Sequence, residues 1–266
     1  MGAELQDRVV VVTGGGGGIG LGLIRHFASI GAKVVIAEID QRRLDGAVED
    51  VAKLGAECLG IRTDVLERHS IQAMVDATVA RFGRVDGLVN NALVPTSVVG
   101  VPTAQVALDE LTEEHLDLDF RGHVKATLWG MQAVYPHMKK AGWGRIVNVG
   151  SSAGLIGTKG FGSYGAAKEA VRSLTRTAAR EWAVDGIVVN CYCPSSISHH
   201  QGKWQMDPYA AQSVEILRAL LPAGDPDSIG DPELDIAPVV AFLLSDECHY
   251  LTGQTLTLSG GAFAFA

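Results

Sequence analysis

The chain has 266 residues, 47% of them hydrophobic and 20% charged, with a formal net charge of −8 and an isoelectric point of about 5.4. This composition can form a full hydrophobic core and excludes an intrinsically disordered chain. The acidic balance argues against a nucleic-acid partner, because phosphate binding needs Lys and Arg clustered on one face.

The amino-terminal stretch MGAELQDRVVVVTGG contains only a very short apolar run, with no basic region before it. A secretory signal needs both features, and a membrane span needs a much longer apolar run. We therefore expect a cytoplasmic protein that does not enter a membrane.

Short apolar runs alternate with longer helical patterns along the chain. Strands are predicted at residues 9–12, 34–37, 58–61, 88–89, 146–149, 187–191 and 255–258. Helices are predicted at 19–30, 41–54, 67–82, 112–140, 163–184 and 233–244. This alternation of strands and helices predicts an α/β, doubly wound (Rossmann) fold, with a seven-stranded parallel sheet covered by helices on both faces. No stretch resembles an interdomain linker, so residues 1–266 are predicted to form a single catalytic domain.

The first predicted strand runs into a glycine-rich turn and then an apolar helix. Five consecutive glycines, 14–18, are followed by Ile19 and Gly20. Glycine lets the backbone approach a pyrophosphate closely, and the helix start presents unpaired N–H groups to it. The strand before and the helix after indicate a dinucleotide site rather than a structural turn. Its candidate contacts are Gly14, Gly17, Gly18, Ile19 and Gly20.

The second predicted strand ends at Glu38, about 20 residues beyond the glycine turn. An acidic side chain at this place accepts hydrogen bonds from the adenosine ribose hydroxyls and repels a 2′-phosphate. Ile39 follows it, and we interpret Arg42 and Arg43 as solvated helix charges. The sequence therefore predicts NAD rather than NADP.

Tyr164 and Lys168 stand four residues apart in SYGAAKEAV, which places both side chains on one face of a helix. A free phenol, with a pKa near 10, is a poor base at neutral pH. A neighbouring ammonium group and a positive nicotinium ring favour its phenolate. Taken alone, the same spacing is common in ordinary surface pairs.

Together these segments resemble the short-chain dehydrogenase/reductase family, in order and across essentially the whole chain. TGGGGGIG is similar to the cofactor loop of that family, and YGAAK is similar to its active-site segment. NNA at 90–92 resembles its fourth-strand motif, and VNVGSSAG resembles the end of its fifth strand. The resemblance implies an enzyme that interconverts a secondary alcohol and a ketone with a nicotinamide cofactor.

The resemblance also implies further cofactor contacts. Asp64 and Val65 correspond to the adenine contact, Asn91 to the fourth-strand motif and Ile197 to a nicotinamide contact. Tyr164 and Lys168 join these cofactor contacts, because the family's lysine holds the nicotinamide ribose.

The catalytic set implied by the family is Ser151, Tyr164 and Lys168. Ser151 hydrogen-bonds the substrate oxygen, Tyr164 exchanges the hydroxyl proton, and Lys168 lowers the pKa of the tyrosine. Ser152 competes with Ser151, but the family's thirteen-residue separation from the tyrosine selects Ser151. Ser152 is then a turn residue.

His123 stands where this family usually has an asparagine that bends the helix and holds a water in a proton relay. Histidine can donate, accept and titrate near neutrality. It therefore either takes over the relay as a fourth catalytic residue or packs without a catalytic part. Two further departures are Leu93, where the family has glycine, and Ser195, where glycine follows the proline.

These departures leave two other functions open: a cofactor-bound scaffold or sensor with little turnover, and an NAD-using epimerase or dehydratase. The four cysteines have no CxxC spacing, so no metal site is expected.

A segment at about 195–232 follows the sixth predicted strand and is rich in proline and large apolar residues. Ligands bind beyond the carboxyl ends of parallel strands, so we predict a substrate lid over a hydrophobic pocket. The expected partner is a small-molecule substrate, a cyclic or aromatic secondary alcohol. The resemblance implies a homotetramer or homodimer.

Overall fold

The computed structural model describes residues 5–94, 106–194 and 230–260. Seven strands form one parallel sheet in the order β3-β2-β1-β4-β5-β6-β7, which confirms the predicted fold class. The strands are β1 (Val9–Thr13), β2 (Lys33–Glu38), β3 (Cys58–Arg62), β4 (Gly87–Asn90), β5 (Gly144–Val149), β6 (Ile187–Pro194) and β7 (Thr255–Leu258). The predicted lid lies almost wholly outside the described residues.

The α-helices of the described ranges are α1 (Gly18–Ser29), α2 (Gln41–Lys53), α3 (Arg68–Phe82), α4 (Glu113–Asp119), α5 (Ala126–Ala141), α6 (Ser152–Ile156), α7 (Gly162–Trp182) and α8 (Ala237–Leu244). Short 3₁₀ turns lie at Leu108–Glu110 and Ala183–Asp185, and π-helical turns lie at Phe120–Lys125 and Pro232–Ile236. None of the helices described combines the length and apolarity needed to cross a membrane.

Two details differ from the predicted elements. The helix predicted over 112–140 is interrupted by the π-helical turn Phe120–Lys125, which separates α4 from α5. Ser152, predicted as a turn residue, begins the short helix α6, because the Ser151 hydroxyl caps it by accepting from the backbone N–H of Ala153 at 3.1 Å.

The sheet is buried on both faces, which explains why its central strands are apolar without alternation. Val10 and Val12 of β1 belong to the core that contains Phe27 of α1. Val9 and Val11 point the other way, into the core that contains Met74 of α3. Successive side chains of one strand therefore hold helices on opposite faces.

The strand order reverses between β1 and β4, and the carboxyl ends of these neighbours separate there into a crevice. Thr13, at the end of β1, holds the start of the β4 loop. Its Oγ1 accepts hydrogen bonds from the backbone N–H groups of Asn91 and Ala92, each at 3.0 Å. This contact sets the width of the crevice.

A buried polar chain lies behind the crevice. Asn148 of β5 accepts from the Asn90 amide at 2.9 Å and donates to the Thr175 hydroxyl of α7 at 2.9 Å. Asn148 and Thr175 are fully buried. The chain of bonds joins two strands and a helix directly beneath the candidate site.

Asn148→Ala should destabilise the fold by about 1–3 kcal/mol, because it leaves the buried partners unsatisfied. Urea unfolding measures this change. Gln72→Ala is the control, since it removes an exposed side-chain hydrogen bond to Asp76 and should cost less than about 0.5 kcal/mol. Equal effects of the two substitutions would contradict the structural role of the buried chain.

Candidate active site

The glycine turn after β1 has a backbone that side chains would not allow. Gly14 has φ +68° and Gly18 has φ +52°, both in the left-handed region. A Cβ atom on Gly20 would lie 2.1 Å from the Gly14 carbonyl oxygen. The turn therefore packs closely against the start of α1, and only glycine fits at position 20.

Helix α1 begins at this turn, and no side chain of the described residues caps it at Gly17. The N–H groups of its first turn, which includes Ile19, have no partner within the helix. These donors and the positive end of the helix dipole suit a pyrophosphate. Gly14, Gly17, Gly18, Ile19 and Gly20 thus fit the dinucleotide predicted for them.

Glu38 lies buried beside the same turn, at the end of β2. Its carboxylate accepts from the backbone N–H groups of Gly16 at 3.2 Å, Ile39 at 2.9 Å and Asp40 at 3.1 Å. These donors orient the charge at the rim of the loop. The Cβ of Arg43 lies 2.9 Å from where a Gly16 Cβ would be. The exposed Arg43 side chain therefore begins beside the glycine turn.

The other predicted cofactor contacts lie around this edge of the sheet. Asp64 accepts from the N–H of Leu66 at 2.9 Å, and Val65 lines the crevice. Asn91 donates to the Thr13 carbonyl oxygen at 3.0 Å, so its side chain braces the glycine turn. Ile197 lies outside the described residues.

Ser151 and Tyr164 come together at the carboxyl end of β5. Ser151 follows the strand, Tyr164 lies in the first turn of α7, and the two hydroxyl groups are neighbours. Burial raises the pKa of Tyr164 to about 12, the neighbouring Ser151 hydroxyl opposes that rise, and the charge of Asp119 adds to it. With no cofactor bound, the phenol is therefore neutral at physiological pH.

Lys168 lies one turn further along α7 and is 4% exposed. Its Nζ donates to the Val149 carbonyl oxygen at 3.0 Å and lies 5.6 Å from the centre of the Tyr164 ring. Burial lowers the pKa of Lys168 to about 8. A lysine with this pKa keeps most of its charge at neutral pH and can lose a proton at moderate cost.

His123 lies in the π-helical turn and is 3% exposed. Its ring meets the Tyr164 ring edge to face, with centroids 5.2 Å apart. Burial, and then the charge of Lys168, lower the pKa of His123 to about 4, while Asp119 opposes the shift. The imidazole is consequently neutral at pH 7, and its Nδ1 has no hydrogen-bond partner among the described residues.

One cleft, about 320 Å³ with its open mouth, runs from His123 and Lys168 to Thr13 at the end of β1. His123 and Lys168 form one wall, and Thr13 and Val65 belong to the cofactor side. Two residues of this region were missed from the sequence. Thr13 could have been found from its position at the end of β1, directly before the glycine turn. The buried Asp119 belongs to no sequence motif that would have indicated it.

Cys191 and Cys193 share a face of β6 and are fully buried. Across the described ranges, no three His, Cys, Asp or Glu side chains are grouped so that they could hold a metal ion. That the chain binds no metal stays a prediction.

The fold and its crevice define a class, the dinucleotide-binding α/β proteins. Residues 8–206 match the short chain dehydrogenase family. The chain therefore belongs to the short-chain dehydrogenase/reductase family, whose members are oxidoreductases that use a nicotinamide cofactor and act on CH–OH groups.

Relatives and solved structures cover nearly the whole chain. It is 36% identical to a 12alpha-hydroxysteroid dehydrogenase of a Clostridium species, over 96% of each chain. It is also 36% identical to a cis-4-hydroxycyclohexanecarboxylate dehydrogenase of Sinomonas cyclohexanicum, over 98% of each chain. The crystal structure of levodione reductase matches with a TM-score of 0.83 at 30% identity, over 98% of this chain and 99% of that one.

Gly20→Ala should weaken cofactor binding, because the new Cβ must displace the Gly14 backbone. Overpacking of this kind costs about 1–3 kcal/mol, which corresponds to a loss of roughly tenfold or more in affinity. Titration of NAD⁺ and NADH by calorimetry measures the loss. Gly46→Ala is the control, since no atom lies within 4 Å of its Cβ position and binding should be unchanged. Normal binding by Gly20→Ala would refute the proposed loop geometry.

Proposed function

We propose that this chain is an NAD-dependent dehydrogenase that interconverts a hydrophobic secondary alcohol and its ketone. The observation that carries the proposal is the placement of Ser151 and Tyr164 next to each other at the end of β5, beside the buried Lys168. The cleft that Lys168 lines is continuous with the end of β1, where the glycine turn begins. Proton exchange and cofactor binding would therefore meet in one space.

In the proposed reaction, Ser151 donates a hydrogen bond to the substrate oxygen and keeps it beside the phenol. Tyr164 takes the hydroxyl proton during oxidation and returns it during reduction. When bound, NAD accepts the hydride and brings a positive ring that favours the phenolate. Lys168 is already in place beside the phenol, so the added positive ring is the change that should lower the pKa of Tyr164 from about 12.

Glu38 is the residue that favours NAD over NADP. Its carboxylate is held by three backbone donors and cannot easily turn away from a ligand. Hydroxyl groups can donate to its outer lone pairs, whereas a 2′-phosphate meets a fixed negative charge. Arg43 is the competing group, because a guanidinium near the rim would attract that phosphate.

The proposed substrate is a cyclic or aromatic alcohol. Leu93 and Ile156, which follow β4 and β5, are 60% and 47% exposed at the carboxyl edge of the sheet. Exposed apolar side chains at a ligand-binding edge favour an apolar substrate. The names of two relatives, a hydroxysteroid and a hydroxycyclohexanecarboxylate dehydrogenase, refer to ring alcohols.

We further propose that residues 1–266 form one catalytic domain, with a lid at about 195–232 to which Ile197 contributes. The enzyme is proposed to act in the cytoplasm as a homotetramer or homodimer. Size-exclusion chromatography with light scattering tests the assembly.

A panel of ring alcohols and ketones, assayed by the absorbance of NADH, tests the function. Net NADH formation from an alcohol supports a dehydrogenase. Conversion of a substrate without net NADH would instead support an epimerase or dehydratase, and binding without conversion would support a scaffold.

Tyr164→Phe should lower turnover by at least about 100-fold, because the proton acceptor is lost. NADH affinity should change by less than about threefold, since the ring that packs in the site remains. Steady-state kinetics and NADH titration separate the two effects. Tyr250→Phe makes the same change at a side chain that is 95% exposed and should leave turnover unchanged. A near-normal rate in Tyr164→Phe would overturn the assignment.

Glu38→Ser should lower kcat/KM with NAD about tenfold, because a hydrogen bond to a charged group contributes about 1.5–3 kcal/mol. Activity with NADP should rise at the same time, since the repelling charge is gone. Glu49→Ser removes the same charge from an exposed position of α2 and should change neither value. Arg43→Ala should lower the remaining activity with NADP. Wild-type preference for NADP would contradict the proposal.

A further inference from the structure

Asp119 is a buried carboxyl group for which the proposed reaction has so far no use. It ends α4, one turn before His123, and is 1% exposed. Carboxyl groups are almost never fully buried unless they are paired. The charged or polar partner that the structure offers is the imidazole of His123, whose Nε2 lies 3.6 Å from Asp119 Oδ1.

The pair is incompletely satisfied. Asp119 Oδ2 and His123 Nδ1 are both buried and have no hydrogen-bond partner among the described residues. Buried polar atoms without partners are rare and indicate a functional use or an ordered water. Both atoms belong to the turn of helix where α4 passes into the π-helical segment, and such segments often lie at functional sites.

The surroundings decide which nitrogen of His123 carries its hydrogen. Asp119 from α4 and Lys168 from α7 are the charged groups that act on the imidazole, and the Tyr164 ring packs against it. A carboxylate accepts but does not donate, so the nitrogen that faces it must carry the hydrogen. The other nitrogen, Nδ1, is then a bare acceptor.

We propose that Asp119 is a positioning residue that holds His123 as the Nε2–H tautomer, so that Nδ1 serves as a hydrogen-bond acceptor beside Lys168. The inference rests on the proposed function, because it assumes that Lys168 and Tyr164 act together on a substrate. His123 then offers a bare acceptor to a water or a substrate group in the cleft that Lys168 also lines.

This arrangement assigns separate tasks to the pair. Asp119 sets the tautomer, and His123 presents the acceptor without itself carrying a charge. The charge of Asp119 also raises the pKa of Tyr164 and of Lys168, so only the part of its effect that passes through His123 should disappear when His123 is replaced. A residue that merely stabilised the fold would act whether or not the histidine were present.

The tautomer can be measured directly in the cofactor-free protein. The ¹⁵N chemical shifts of the imidazole distinguish a protonated from a bare ring nitrogen, and the signals of His123 are those missing from His123→Asn. We expect a protonated Nε2 and a bare Nδ1 at pH 7. In Asp119→Ala no acceptor remains beside Nε2, so the hydrogen should no longer be confined to that nitrogen. A wild-type imidazole protonated on Nδ1, or unchanged shifts in Asp119→Ala, would overturn the proposal.

A double-mutant cycle tests the kinetic consequence. Asp119→Asn should lower kcat about tenfold or more, by analogy with other carboxylates that fix a histidine tautomer. The same substitution in the His123→Asn background should lower kcat clearly less, because only the direct effect of the charge on Tyr164 and Lys168 remains. Asp117→Asn, at an exposed position of α4, is the control and should leave kcat unchanged. Equal losses in both backgrounds would contradict a role through His123.

The two measurements distinguish this inference from the proposed function. Absence of net NADH formation by the wild-type chain with every alcohol would refute the dehydrogenase, while the nitrogen shifts would still decide the tautomer. An active wild-type enzyme with the hydrogen on Nδ1 would refute the role of Asp119 alone.

Discussion

The candidate site depends on one buried charge, the ammonium group of Lys168. An ammonium group is costly to bury unless it is hydrogen-bonded, and here its Nζ donates to the Val149 carbonyl oxygen at 3.0 Å. The fall of its pKa to about 8 expresses the remaining cost. Because Val149 ends β5 and Lys168 belongs to α7, the bond ties the strand that precedes Ser151 to the helix that carries Tyr164. Ser151 and Tyr164 are thereby held next to each other at the end of β5.

The sheet supplies the second constraint, since a cofactor needs an opening between strands that otherwise pack without gaps. Reversal of strand order between β1 and β4 provides it. Thr13 bridges the two strand ends, and the glycine turn closes on α1 beside it. Glu38 adds a fixed negative charge at the outer rim. The same edge thus presents donors where a pyrophosphate would lie and an acceptor where a ribose would lie.

His123 shows how a departure from a family pattern can be accommodated without opening the site to water. The imidazole lies buried within the π-helical turn, a kind of segment that often lies at functional sites. Burial keeps the ring neutral, with a pKa of about 4, so it adds no charge that would compete with Lys168. The imidazole also lies next to Asp119, and this contact accounts for the burial of the carboxyl group.

The sequence by itself determined the order of strands and helices, the glycine turn and the shared helix face of Tyr164 and Lys168, because these depend on residues close together in the chain. It also pointed to Ser151 through the resemblance. Only the tertiary structure decided the π-helical turn within 112–140, the burial of Asp119 and the bridge from Thr13. The π-helical turn packs against α7, which lies about forty residues further along the chain, and local sequence does not show such a contact. Burial and bridging likewise depend on strands and helices that meet only after the chain has folded.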